Sequence, residues 1–215
     1  MQRIVITSKT AHFKVPYTSK YQKTYDIPPI STVIGMLKVI FGEEIDDFVF
    51  GYTFEYESKF DDAMTLYKIN ANDLPIIGDS SRKRDYVSDS IVREYLYNCV
   101  LKIYTDIDLP IVMNYCLTMG RANNLARLHL PFSEVKLVDA IGTGYNQLTP
   151  VNIGTGIIKP VTYYSKYDKA TQSFHTRTMH LRFNKEFEYD RHFDEEEGQN
   201  IFLWKCEGGE IYEFS

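Results

Sequence analysis

One stretch narrows the possible folds more than any other: Ile27-Pro28-Pro29-Ile30-Ser31-Thr32-Val33-Ile34-Gly35-Met36-Leu37-Lys38-Val39-Ile40-Phe41-Gly42. Each proline ring locks its own φ and disfavours helical backbone at the residue before it, so the chain must enter extended. Ser31 or Thr32 then offers a hydroxyl to the free amides of a helix start. Val33, Met36, Leu37, Ile40 and Phe41 recur at helical spacing and make one apolar face, with Lys38 off it. Gly42 suits the closing position, and Gly35 leaves one side smooth enough for another backbone to approach. The pattern predicts a buried helix entered through a rigid turn.

The chain of 215 residues can form one large domain or two small ones around a substantial core. Its 17 tyrosines and 13 phenylalanines against a single tryptophan point to strands, while tyrosine is also a surface on which bases stack. Cys99, Cys116 and Cys206 are widely spaced and form no C-x-x-C pair, which argues against zinc and for a reducing compartment. The first residues carry too short an apolar run for a signal peptide, and no run approaches the ~18 residues of a membrane span. A soluble, cytoplasmic protein is expected, without metal or cofactor.

Net charge is −5, yet it is segregated. Arg3, Lys9, Lys14, Lys20 and Lys23 give the first 25 residues a charge of +5, with no Asp or Glu among them, and the remainder sums to −10. Such separation can place a basic groove on an acidic body.

In chain order, Arg3–Thr7 reads as a first strand and Ser8–Asp26 as a long loop that interleaves cations with aromatics: Lys9, His12, Phe13, Lys14, Tyr17, Lys20, Tyr21, Lys23. That interleaving suits a nucleic-acid backbone with stackable bases. After the helix, Phe48–Phe60 reads as a strand with Phe48, Phe50, Tyr52, Phe54 and Tyr56 on one face, and Met64–Ile69 as another. Leu74–Arg93 reads as a protruding hairpin with Arg82, Lys83 and Arg84 near its tip. Glu94–Thr105 alternates as a central strand, Leu109–Leu117 can form a short helix behind Pro110, Thr118–Arg127 is a glycine-centred bend bearing Arg121, and Val135–Ala140 is a further strand. This order approximates an α+β, ferredoxin-like fold of the RNA-recognition type, over residues 1–140, with an inserted β-hairpin thumb near 74–93. Residues 141–215 read as a small β-rich C-terminal region whose acidic segment, Glu186 to Glu197, forms a solvated face.

Few motifs point to catalysis. Gly142-Thr-Gly144 and Gly154-Thr-Gly156 lack the Gly-Lys-[Ser/Thr] of a phosphate loop and read as turns. His175 and His180, five apart on a strand, point to opposite faces and do not share a metal. His12, Lys14 and Tyr17 are residue types that metal-independent RNA cleavage employs, but no spacing rule selects them.

Taken together, Tyr25-Asp-Ile-Pro-Pro-Ile-Ser-Thr-Val-Ile-Gly-Met-Leu37, the basic hairpin before Arg93-Glu-Tyr-Leu96, and Met119-Gly-Arg-Ala-Asn-Asn-Leu-Ala126 resemble the fifth family of RAMP-type CRISPR-associated proteins. These are the subunits that cap the crRNA 5′ end in type I Cascade, and the length is similar to the subtype I-B members. The resemblance spans Met1 to Ala140. It implies a thumb-bearing ferredoxin-like domain that grips the crRNA 5′ handle beside the backbone and large subunits. By position, Lys9 to Lys23 would line the handle's path, Arg82 to Arg84 would lie on the thumb, Arg93 would follow it, and Arg121 would sit behind the groove. The subtype I-C branch is itself a processing nuclease that uses a tyrosine with an adjacent Lys-His pair. This chain has no Lys-His dipeptide. A binding subunit is therefore expected, with a metal-independent endoribonuclease that matures pre-crRNA as the alternative.

Overall fold

The computed structural model describes residues 1–69 and 86–214. β1 (Gln2–Ala11) leads through a loop containing β2 (Tyr21–Gln22) into α1 (Ile30–Phe41). β3 (Phe48–Glu55), β4 (Ser58–Ile69) and β5 (Tyr86–Thr105) follow, then β6 (Ala126–Glu134) and β7 (Leu137–Val138). The remainder is β8 (Gly142–Thr149), β9 (Ile157–Asp168), β10 (Ser173–Tyr189), β11 (Phe193–Asp194), β12 (Gln199–Asn200), β13 (Leu203–Glu207) and β14 (Glu210–Glu213). No described helix is long and apolar enough to cross a membrane.

The main sheet runs β14-β13-β3-β5-β1-β6, with neighbouring strands antiparallel. Its four strands β3-β5-β1-β6 keep the order of a ferredoxin-like sheet, so the expected α+β architecture is present. One expected element is missing. Leu109–Leu117 is irregular rather than helical, and α1 is the only α-helix among the described residues. The amides of Val112 and Met113 both donate to the Ile40 carbonyl, at 2.8 and 3.2 Å, so this segment ties off the C-terminal end of α1. Orphan carbonyls at a helix end need such donors.

α1 begins two to three residues earlier than a cap at Ser31 or Thr32 would place it. Pro29 (φ −57°, ψ 148°) is the N-cap, no side chain caps the helix, and the Pro29 carbonyl accepts from Thr32 and Val33 at 2.9 and 3.3 Å. Ser31 and Thr32 already lie in the first turn, because the fixed φ of Pro29 ends the extended entry there. Ile30, Val33, Met36, Leu37, Ile40 and Phe41 are buried as predicted, and Gly42 (φ 108°) closes the helix with its amide on Lys38. Gly35 is exposed, with no neighbour where a Cβ would stand, so no backbone approaches it.

The aromatic face of β3 packs against α1: Phe48, Phe50, Tyr52 and Phe54 are buried beside Ile4, Ile6, Leu101 and Ile103. Val49, Tyr104, Ile201 and Leu203 form a second apolar cluster. Successive strand residues point to opposite faces, so β3 is covered on both sides. A three-stranded sheet, β8-β10-β9, packs through β9 onto α1 and extends the main core with Leu148, Val161, Leu181 and Phe183.

Three local expectations change. Phe48–Phe60 is two strands that break near Tyr56–Glu57, and Val135–Ala140 reduces to the two-residue β7. Gly142 and Gly144 lie within β8 rather than in a turn; a Cβ on Gly144 would stand 2.5 Å from the Phe187 ring. The acidic segment is only partly a solvated face. Asp194 is fully buried, taking Arg3 at 3.2 Å and the Tyr104 hydroxyl at 2.9 Å, while Glu196 and Glu197 pair with Arg3 and Lys102.

Candidate nucleic-acid interface

The basic loop is an ordered excursion pinned at its base. Lys14 bridges Thr24, the Val15 amide donates to the Lys23 carbonyl at 3.0 Å, and the Tyr25 amide donates to Phe13 at 2.8 Å. The Phe13 amide is held by the Thr24 hydroxyl at 2.8 Å and the Thr24 amide by the Glu94 carboxylate at 3.1 Å. Further out, β2 runs parallel to β5, pairing Tyr21 with Val92 and Gln22 with Arg93. These contacts explain how a long polar segment keeps one conformation.

The pinning sorts the predicted residues into two groups. Lys14, Tyr17, Lys20, Tyr21 and Lys23 are exposed. Tyr17 stands wholly free of the protein, at 105% relative exposure, on a left-handed backbone (φ 63°). Tyr21 hydrogen-bonds Asp61 at 3.0 Å, and the Lys23 ammonium lies 6.0 Å from the Tyr21 ring centre. Among the described residues none of Lys9, Lys14, Lys20 and Lys23 pairs with a carboxylate, whereas Arg3, Lys59, Lys102 and Lys159 all do.

His12 and Phe13 do not face the solvent. Phe13 is 2% exposed and meets Phe54 edge to face at 5.4 Å, so it is a core residue and not a stacking platform. His12 is 1% exposed; its Nδ1 donates to the Glu94 carbonyl at 2.7 Å, and burial, with Arg121 and Arg93 nearby, lowers its pKa to about 4. The imidazole is neutral, and its Nε2 has no protein partner. Of the three residue types named for RNA cleavage, His12 is buried whereas Lys14 and Tyr17 are exposed.

Arg121 and Arg93 sit under the loop rather than along its rim. Gly120 (φ 90°) turns the chain against β1, where a Cβ would stand 2.2 Å from the His12 carbonyl, and this brings Arg121 to Gln22 at 3.2 Å. Arg93 is 4% exposed and also donates to Gln22, at 3.0 Å. Lys9 stands apart, near Asn98 (3.5 Å), at an open cavity lined also by Thr7, Leu125 and Arg127. β4 pairs with β5 from Ser58–Tyr97 to Ile69–Tyr86, and most of the expected hairpin, Leu74–Arg93, lies outside the described residues. Arg82, Lys83 and Arg84 lie outside the described residues.

One feature of this region carried no motif. Lys159 lies 4.9 Å from the Phe183 ring centre, Tyr25 stacks on Phe183 at 5.3 Å, and Asp26 accepts from Lys59 (2.6 Å) and the Tyr56 hydroxyl (3.0 Å). They stand at a cavity of about 380 Å³ between the loop's end and the β9–β10 sheet. Only the folded chain brings residues 26, 56, 159 and 183 together.

No family model and no curated protein matches the sequence. Solved structures do resemble it in fold. A chain of a CRISPR RNA-guided surveillance complex superposes with a TM-score of 0.53 at 11% identity, covering 90% of this chain and 92% of the other. A chain from the type III-B Cmr-beta complex bound to cognate target RNA and AMPPnP gives 0.55 at 12% identity, covering 86% and 85%. At these identities the likeness is one of fold.

Proposed function

We propose that this protein is a crRNA-binding subunit of a CRISPR interference complex, acting without nuclease activity of its own. The observation that carries the reading is the loop from Lys14 to Lys23. It presents three lysines without carboxylate partners among the described residues and a wholly exposed Tyr17, on a scaffold pinned to β5. Lysines that neutralise phosphates give sequence-independent grip, and an exposed ring accepts any unpaired base. In guide-RNA complexes pairing reads the target, while protein holds the guide through charge and shape. The fold shared with chains of two CRISPR complexes supports the same reading.

The finer reading is a type I Cascade subunit that holds the 5′ handle of crRNA, caps the backbone of the assembly and contacts the large subunit. The sequence resemblance supports it. Purified protein incubated with repeat RNA in the absence of metal should bind the handle and leave it intact. Co-expression with backbone and large subunits should yield a stable complex. Specific cleavage of the repeat would establish the endoribonuclease instead, and failure to co-purify would leave a stand-alone RNA-binding module.

A further inference from the structure

Gln22 stands between two guanidinium groups that have no carboxylate partner among the described residues. Its amide oxygen accepts from Arg93 Nε at 3.0 Å and from Arg121 Nη2 at 3.2 Å. The other partners of Arg93 among the described residues are neutral: Met64 Sδ at 2.9 Å and the Tyr95 hydroxyl at 3.1 Å. Among the described residues neither arginine forms an ion pair, although Arg93 is almost completely buried. Burial and then the charge of Arg93 lower the Arg121 pKa, so the two cations work against each other. Buried charges are ordinarily paired, and one neutral oxygen is weak compensation for two.

The fixed and adaptable parts are divided between elements. Arg93 belongs to the long central strand β5, and Arg121 to the turn that Gly120 packs against His12. Gln22 belongs to the two-residue β2 in the exposed loop, between the exposed Tyr21 and Lys23. A guanidinium pair at this spacing suits an oxyanion that accepts from both at once.

We propose that the Gln22 amide oxygen occupies the place of a phosphodiester oxygen, and that Arg93 and Arg121 form an RNA-phosphate subsite which opens when the Gln22 side chain swings out. This deepens the RNA-binding reading above and rests on it. Lys20 and Lys23 flank the entrance and draw the backbone toward it; the arginine pair then fixes one phosphate in register.

The test uses the full-length protein, thermal melts and titrations of handle RNA across salt. Gln22→Glu supplies the missing internal anion. It should raise the melting midpoint and lower RNA affinity tenfold or more, well beyond the loss in Ser19→Glu, which adds the same charge at an exposed position of the same loop. Gln22→Ala should bind RNA at least as tightly as wild type, since the competing oxygen is gone. Arg121→Gln should lower the salt slope by about one, and should cost nothing further in the Gln22→Glu background. Equal losses in Gln22→Glu and Ser19→Glu, or a full-sized Arg121→Gln effect in the Gln22→Glu background, would overturn the subsite while leaving RNA binding intact. Inorganic phosphate alone is the second arm. If it raises the wild-type midpoint while RNA fails to bind, the site is one for free anions, and both this assignment and the reading it rests on fall.

Discussion

The phenol of Tyr52 donates a 2.8 Å hydrogen bond to the carbonyl of Pro28, inside the core. The bond ties the aromatic face of β3 to the Pro-Pro entry of α1, and so fixes where the basic loop must end. The Tyr52 pKa is raised well above that of a free phenol by burial, so the group stays a donor. Tyr52→Phe leaves a buried carbonyl unsatisfied and should cost about 1–3 kcal/mol. Urea denaturation measures this, and RNA affinity of the folded fraction should not change.

Tyr17 and Phe13 are neighbours in sequence with opposite fates. Tyr17→Ala should leave the melting midpoint within about a degree of wild type while weakening RNA binding by about 1–3 kcal/mol. Phe13→Ala empties a core position and should destabilise the fold by about 3–5 kcal/mol. Parallel melts and RNA titrations of the two variants separate surface from core.

His12 makes folding pH-dependent. Its folded pKa of about 4 lies below the value of 6.5 expected in the unfolded chain, so the unfolded state binds more protons between those values. Stability should fall as pH drops from about 6.5 to 4, by roughly 3 kcal/mol from this group. Asp26 and His192 also have lowered pKa values, so the difference between wild type and His12→Gln profiles isolates the effect. A flat difference profile would contradict the burial of a neutral imidazole.

The acidic tail should prove structural at one residue. Asp194 is buried, compensates Arg3 and Tyr104, and accepts the amides of Glu196 and Glu197 at 2.9 and 3.3 Å. Asp194→Ala strands the Arg3 charge and should cost about 3–5 kcal/mol. Glu195→Ala, at an exposed position outside that network, should stay within about 0.5 kcal/mol. Chemical denaturation of both variants checks the contrast.

The residues that folded as read were those whose period carries the information. The α1 face from Val33 to Phe41 and the alternation of Phe48, Phe50, Tyr52 and Phe54 each repeat a geometric spacing that only one element satisfies. Leu109–Leu117 misled because Pro110 permits a helix without requiring one, and the segment instead spends its amides on the end of α1. Within the loop, composition marked the cations and Tyr17, yet could not tell Phe13 from Tyr17; register with Thr24 and Tyr25 decides that. Gln22 carried no signal at all, since its position between Arg93 and Arg121 depends on a parallel pairing between residues about seventy apart. Arg3 shows the reverse: it counted toward the basic segment, but Asp194, Glu196 and Glu197 neutralise it from the other end of the chain.

One titration decides whether the loop holds RNA: the affinity for crRNA 5′-handle RNA measured across salt for wild type and for Lys14→Glu with Lys20→Glu. The double reversal should weaken binding at least tenfold at low salt and flatten the salt slope by about two or more, while the melting midpoint holds. Equal affinities and equal slopes for the two proteins would contradict a guide strand held on this loop.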